Sequence, residues 1–188
     1  MKITVFCGAS NGNNPIYSQK IVELGEWMIK NNHDLVYGGG KVGLMGVIAD
    51  TVINNGGQAI GVIPTFLKDR EIAHTNLSKL IVVENMPQRK GKMMSLGEAY
   101  IALPGGPGTL EEISEVISWS RIGQNDSPCI LYNINGYFNH LESMFDHMVS
   151  EGFLSQNDRN NVLFSDDIIE IEKFIKDYQS PTIRKYSN

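Results

Sequence analysis

The chain has 188 residues, 41% of them hydrophobic, with a formal charge of −5 and a sequence pI of 5.4. Length and apolar content predict one α/β domain spanning 1–188, because no Pro/Ser-rich linker or charge block divides it. Its 16 Lys and Arg are outnumbered by 21 Asp and Glu and form no basic face, which argues against nucleic acid as a partner; no window approaches eighteen apolar residues, which argues against a membrane span.

In chain order, Ile3 to Cys7 reads as a strand and runs into the turn Gly8-Ala9-Ser10-Asn11-Gly12, followed by a helical pattern from Ile16 to Asn31. Asp34 to Tyr37 is the next strand, and Gly38-Gly39-Gly40-Lys41-Val42-Gly43 leads from it into a helix over Gly43 to Asn55. Strands at Gln58 to Ile63 and Leu80 to Glu84 precede a helix at Arg89 to Leu96. A strand at Ala99 to Leu103 and a helix at Leu110 to Ile122 follow, then a strand at Cys129 to Tyr132 and a helix at Tyr137 to Glu151. Val162 to Phe164 and Asp166 to Tyr178 supply the last strand and helix. This alternation predicts a single-domain Rossmann-like fold: a parallel sheet with helices on both faces and right-handed crossovers. Ligands in such sheets bind beyond the carboxyl ends of the strands. Three glycine-rich turns, after Cys7, Tyr37 and Leu103, should therefore gather on one rim.

The third turn, Pro104-Gly105-Gly106-Pro107-Gly108, carries the most chemistry. Glycines let the backbone approach a ligand closely, and first-turn helix amides lack intrahelical partners and favour anions. Phosphate is the natural guest. Thr109 adds a hydroxyl, and Glu112 lies three residues on, along the same helix face. Thr109-Leu110-Glu111-Glu112 is also a capping box, in which Thr and Glu satisfy each other's backbone donors. A cap alone does not need the entropically costly run from Pro104 to Gly108, so the ligand cradle is the preferred reading.

The second turn matches G-x-G-x-x-G at Gly38, Gly40 and Gly43, which raises a nicotinamide-dependent oxidoreductase as an alternative. A dinucleotide site needs an acidic residue at the end of the next strand, and that strand ends Gly61-Val62-Ile63-Pro64. A Walker loop is absent as well. Arg89-Lys90 follows Met86-Pro87 and also belongs at the carboxyl rim. Cys7 and Cys129 lie in apolar, strand-like runs and read as buried free thiols of a reducing compartment, which predicts a soluble cytoplasmic protein. His33, His74, His140 and His147 show no ligand spacing, so neither a metal nor a redox cofactor is expected.

Arg89-Lys90 followed downstream by Pro104-Gly105-Gly106-Pro107-Gly108-Thr109-Leu110-Glu111-Glu112 resembles the signature of the LOG (Lonely Guy) family of cytokinin riboside 5′-monophosphate phosphoribohydrolases, often mislabelled lysine decarboxylases. The resemblance extends over Cys7-Gly8-Ala9-Ser10, Gly38-Gly39-Gly40 with Gly43-Leu44-Met45-Gly46, Gly61-Val62-Ile63-Pro64 and Glu115-Val116-Ile117-Ser118-Trp119. The chain departs from the pattern at Pro87, where the family often has His, at Ser118, where it often has Thr, and through Arg121 to Pro128.

The resemblance implies hydrolysis of the N-glycosidic bond of a purine nucleoside 5′-monophosphate, of cytokinin type or AMP, to free base and ribose 5-phosphate. It implies Arg89 and Glu112 as catalytic residues. The implied substrate-binding set comprises Glu71, Arg89, Lys90, Gly106, Pro107, Gly108, Thr109, Leu110, Glu111, Glu112 and Ser118. A homodimer with the active site near the subunit interface is implied too. A non-catalytic nucleotide-binding module is the alternative from another class; it would keep the cradle and have no use for Glu112 beside a ribose.

Overall fold

Short apolar runs, three of which end in glycine-rich turns, fold as parallel strands separated by helices. A computed structural model describes residues 1–68 and 73–180. Among these residues the strands are β1 (Lys2–Phe6), β2 (Asp34–Tyr37), β3 (Ala59–Pro64), β4 (Lys79–Val83), β5 (Ala99–Ala102), β6 (Cys129–Tyr132) and β7 (Val162–Ser165). The helices are α1 (Ile16–Lys30), α2 (Gly43–Asn54), α3 (Thr65–Lys68), α4 (Met86–Leu96), α5 (Pro107–Arg121), α6 (Asn139–Ser150), α7 (Gln156–Asn160) and α8 (Ile168–Asp177).

All strand pairs are parallel, in the order β4-β3-β2-β1-β5-β6-β7. Strand order reverses between β1 and β5, so the crevice beyond their carboxyl ends is where such a sheet binds ligand. Alternation along the strands divides the core. Ile3, Val5, Leu35 and Tyr37 point to the face covered by α1, α2 and Ile171 of α8. Phe6, Val36, Tyr100 and Ala102 point to the face covered by Met93 of α4, Ile113 and Val116 of α5, and Phe145 of α6. Burial on both faces explains why these strands read as continuous apolar runs.

Three helix starts differ from the pattern-based expectation, and two short helices are additional to it. The helix expected from Arg89 begins at Met86, because the Asn85 side chain accepts the Gln88 amide at 3.0 Å and Pro87 is tolerated in a first turn. The helix expected from Leu110 begins at Pro107, with Gly106 as its N-cap. Tyr137 does not start α6: a 3-10 turn, Ile134–Gly136, carries Asn135 at φ 54°, and the helix resumes at Asn139. Helices α3 and α7, of 4 and 5 residues, are too short to show periodicity.

Candidate active site

The three turns do meet. The Gly8 amide donates to the Pro104 carbonyl at 3.2 Å, and a Cβ on Gly105 would stand 2.9 Å from the Gly8 nitrogen. Gly43, at φ +62°, passes so close to the β1 loop that a Cβ there would lie 2.2 Å from the Ala9 carbonyl carbon. Left-handed backbone and lack of space both require glycine at this point. Between the turns lies a cleft of 220 Å³, walled by Cys7, Gly8, Ala9, Gly38, Met45, Met86, Arg89, Met93, Gly106, Gly108, Thr109 and Glu112.

Helix α5 opens into this cleft without a side-chain cap and with no acidic residue in its first turn. Gly106 is the N-cap, Pro107 occupies the first helical position where a missing N–H costs nothing, and the Gly108 and Thr109 amides face outward as orphan donors. This corrects the capping-box reading. Thr109 is the third helical residue, not the cap, and its buried hydroxyl lies against Gly105, where a Cβ would come within 2.2 Å of Oγ1. Glu112 sits about 1.5 turns into the helix, too far along to serve a reciprocal cap, and lines the cleft instead.

Arg89 is 5% exposed. Its Nη2 donates to the Gly38 carbonyl at 2.8 Å and its Nε to the Val62 carbonyl at 3.1 Å, so the ends of β2 and β3 hold the guanidinium. Its Nη1 lies 3.8 Å from Met86 Sδ. Gly38 is glycine because of Arg89: a Cβ there would stand 2.2 Å from Nη2. The turn that matched a dinucleotide motif thus spends its Gly38 carbonyl on the arginine, and β3 leaves the sheet at Pro64 with no acid for a ribose. At the floor, burial pushes the Cys7 thiol far up, the Glu112 carboxylate pushes it further, and the Arg89 guanidinium opposes. The thiol stays neutral and feels both charges.

The remaining candidates sit elsewhere. The Lys90 ammonium pairs with Glu111 at 2.7 Å and Glu115 at 2.8 Å, tying α4 to α5, and these two carboxylates raise its pKa. Leu110, Glu111 and Ser118 are exposed on α5 outside the cleft walls. Leu110 and Pro107 border a second, apolar hollow of 400 Å³ with Tyr137, Phe138, His140 and Leu141. Tyr137 donates its hydroxyl to the Gly105 carbonyl at 2.6 Å, bracing the turn from that side. Glu71 lies outside the described residues.

Met45, Met86 and Met93 were not among the residues singled out from sequence, and neither was Cys7 as a cleft residue. Their signal was positional: Cys7 ends the run before a rim turn, and Met86 precedes Arg89 by one helical turn. Among the described residues, no group of three or more His, Cys, Asp or Glu is placed to hold a metal ion.

The family model described as "Possible lysine decarboxylase" matches residues 45–174. Cytokinin riboside 5′-monophosphate phosphoribohydrolase LOG1 of Arabidopsis thaliana is 45% identical over 177 residues, 94% of this chain and 83% of that protein. A probable enzyme of the same name from Oryza sativa subsp. japonica, LOGL2, is 43% identical over 94% of this chain and 72% of its own. In fold, the molybdenum cofactor carrier protein of Chlamydomonas reinhardtii is similar with a TM-score of 0.71 at 19% identity, covering 93% of this chain and 95% of its own. By a family model spanning most of its length and by relatives above 40% identity, the chain belongs to the LOG family, the cytokinin riboside 5′-monophosphate phosphoribohydrolases.

Proposed function

We propose that this protein hydrolyses the N-glycosidic bond of a purine nucleoside 5′-monophosphate, of cytokinin type or AMP, releasing free base and ribose 5-phosphate. The observation that carries this reading is the convergence of a carboxylate, Glu112, and a buried guanidinium, Arg89, on one cleft fronted by the uncapped N-terminus of α5. The amides from Gly106 to Thr109 receive the 5′-phosphate. That anchoring sets the ribose against Glu112, whose negative charge stabilises the oxocarbenium-like character that develops as the bond breaks and which orients or deprotonates the attacking water. Arg89, fixed by two carbonyls, complements charge on the reacting groups. Lys90 acts from between α4 and α5 by holding Glu111 and Glu115. Water is the one co-reactant that this hydrolysis requires.

The cleft of one chain, at 220 Å³, is smaller than the roughly 300–1,000 Å³ of sites that enclose whole small molecules. It suits a ribose phosphate and leaves the base to be covered from outside. Ser118, Trp119 and Ile122 are exposed at the end of α5. A homodimer packed on this face supplies that cover and gives Ser118 a substrate to touch across the interface. The two buried free thiols, Cys7 and Cys129, support a reducing cytoplasm as the compartment; among the described residues no helix is long and apolar enough to cross a membrane.

The test is turnover of AMP and of isopentenyladenosine 5′-monophosphate, with free base followed by chromatography and ribose 5-phosphate by its reducing end. Release of both products in equal amounts from either nucleotide supports hydrolysis. Tight nucleotide binding without base release would instead establish the non-catalytic binding module.

A further inference from the structure

Outside the cleft, one buried titratable side chain stands out by its connections. His74 is 3% exposed, and its contacts run toward Arg89. Its backbone amide donates to the Gly39 carbonyl at 3.0 Å, and the preceding residue, Ala73, forms an antiparallel bridge with Gly40. The His74 segment is therefore laced along the glycine turn whose first member, Gly38, presents its carbonyl to Arg89 Nη2.

The ring is fixed on both nitrogens. The Asn76 amide donates to Nδ1 at 3.2 Å, which makes Nδ1 an acceptor and leaves Nε2 to donate to Asp50 Oδ1 at 2.9 Å. Asp50 lies on α2, the helix that springs from the same glycine turn, and its charge also reaches the buried Tyr37 hydroxyl, the residue just before Gly38. The turn is thereby held by the His74 backbone at the Gly39 carbonyl and by the Ala73–Gly40 bridge, and the His74 ring is itself tied to α2 through Asp50.

Rigid support matters here because the other arginine acceptor, the Val62 carbonyl, belongs to β3 and is held by the sheet, whereas Gly38 lies in a turn that contains Gly39 at φ +80°. We propose that His74 and Asp50 form a positioning pair that fixes the Gly38 carbonyl and, through it, the Arg89 guanidinium in the cleft. Neither residue touches substrate; their effect is on the geometry of the group that does. This assignment rests on the reading of Arg89 as part of the nucleotide-hydrolysing site.

Two readouts keep the proposal and that reading separable. The first is proton exchange at Arg89 Nε, seen in a ¹H–¹⁵N spectrum and assigned by its loss in Arg89→Lys. The second is the kcat and KM for base release from AMP. His74→Ala is expected to speed exchange at Arg89 Nε at least about 10-fold, as local opening around the turn becomes easier. It is expected to lower kcat by about 10- to 100-fold, as a displaced catalytic group does, with KM changed less than about 3-fold. His74→Gln, which keeps an N–H donor for Asp50, should recover most of both losses. Asp50→Ala probes the same pair while leaving the buried ring in place, and should shift both readouts in the same direction, with Asp50→Asn restoring them. The proposal is overturned if Asp50→Ala, or a folded His74→Ala, shows exchange and kcat within about 2-fold of the parent protein. If the parent protein releases no base, the hydrolase reading fails on its own, and the exchange measurement still decides whether the pair positions Arg89.

Discussion

Replacing Gly38 by Ala is the smallest change that attacks the site's geometry without touching its chemistry. The added Cβ would stand 2.2 Å from Arg89 Nη2, 3.2 Å from Cζ and 3.0 Å from Met45 Sδ. Non-bonded atoms of this size settle near 3.5 Å, so the guanidinium must retreat by roughly 1.3 Å or the turn must deform. Starting from 2.8 Å to Gly38 and 3.1 Å to Val62, a retreat of that size takes at least one hydrogen bond beyond the useful range. A charged hydrogen bond is worth about 1.5–3 kcal/mol, so stability should fall by about 2 kcal/mol, read as a lower urea midpoint at unchanged slope. Misplacing a catalytic group by about 1 Å costs on the order of 100-fold in rate, and kcat/KM for base release should fall by about that factor. Gly91→Ala is the control: its Cβ meets nothing within 4 Å, and it lies on α4 outside the cleft walls. A Gly38→Ala protein with parental stability and turnover would show that Arg89 does not need the position the structure gives it.

Removing the 5′-phosphate should be severe, because each charge-assisted hydrogen bond lost at the start of α5 is worth about 1.5–3 kcal/mol; adenosine should be turned over orders of magnitude more slowly than AMP, and equal rates would sink the phosphate assignment. Dialysis against a chelator should leave activity unchanged, since among the described residues no group of side chains is placed to hold a metal ion; activity lost on dialysis and restored by a divalent ion would contradict this. Burial raises the Cys129 thiol to about 12 and Cys7 further, against roughly 8.5 in an unfolded chain. Above about pH 8.5 the unfolded state therefore loses thiol protons that the folded state keeps, so stability should decline as pH rises from there toward 12, by up to about 1.4 kcal/mol per unit for each group, and a urea midpoint that stays flat to pH 10.5 would refute it.

Fold class was readable because a doubly covered parallel sheet leaves a coarse imprint: apolar strands, three of them with glycine-rich exits, alternating with helical periodicity along most of the chain. The rim was readable for the same reason, since each glycine-rich turn had to follow a strand. Errors came where local chemistry outweighs pattern. Asn85 moves the start of α4 back from Arg89, and Asn135 in left-handed backbone delays α6. Thr109 and Glu112 have the spacing of a capping box, yet Gly106 takes the cap position because Pro107 can begin a helix that Thr109 then only extends. Lys90 shares a motif with Arg89 but pairs with Glu111 and Glu115 on α5 instead of lining the cleft, since adjacent helical residues project about 100° apart. Sequence spacing cannot show that Gly38 and Arg89, 51 residues apart, share one hydrogen bond, nor that Gly38 is glycine to make room for it. Ser118 lies eleven residues beyond the start of α5, exposed and away from the cleft walls, a separation that the motif's spacing does not reveal.

Glu112 is the residue on which the hydrolytic reading turns. The decisive measurement is the kcat for release of free base by Glu112→Gln beside the parent protein, with nucleotide affinity measured on both. Gln keeps the size and the carbonyl acceptor and removes the charge, so kcat should drop by roughly 100-fold or more with affinity largely kept. Glu111→Gln, whose parent side chain pairs with Lys90 outside the cleft, should change kcat far less. A Glu112→Gln protein that releases base at nearly the parental rate, or loses no more than Glu111→Gln does, would contradict a carboxylate-assisted cleavage at this site.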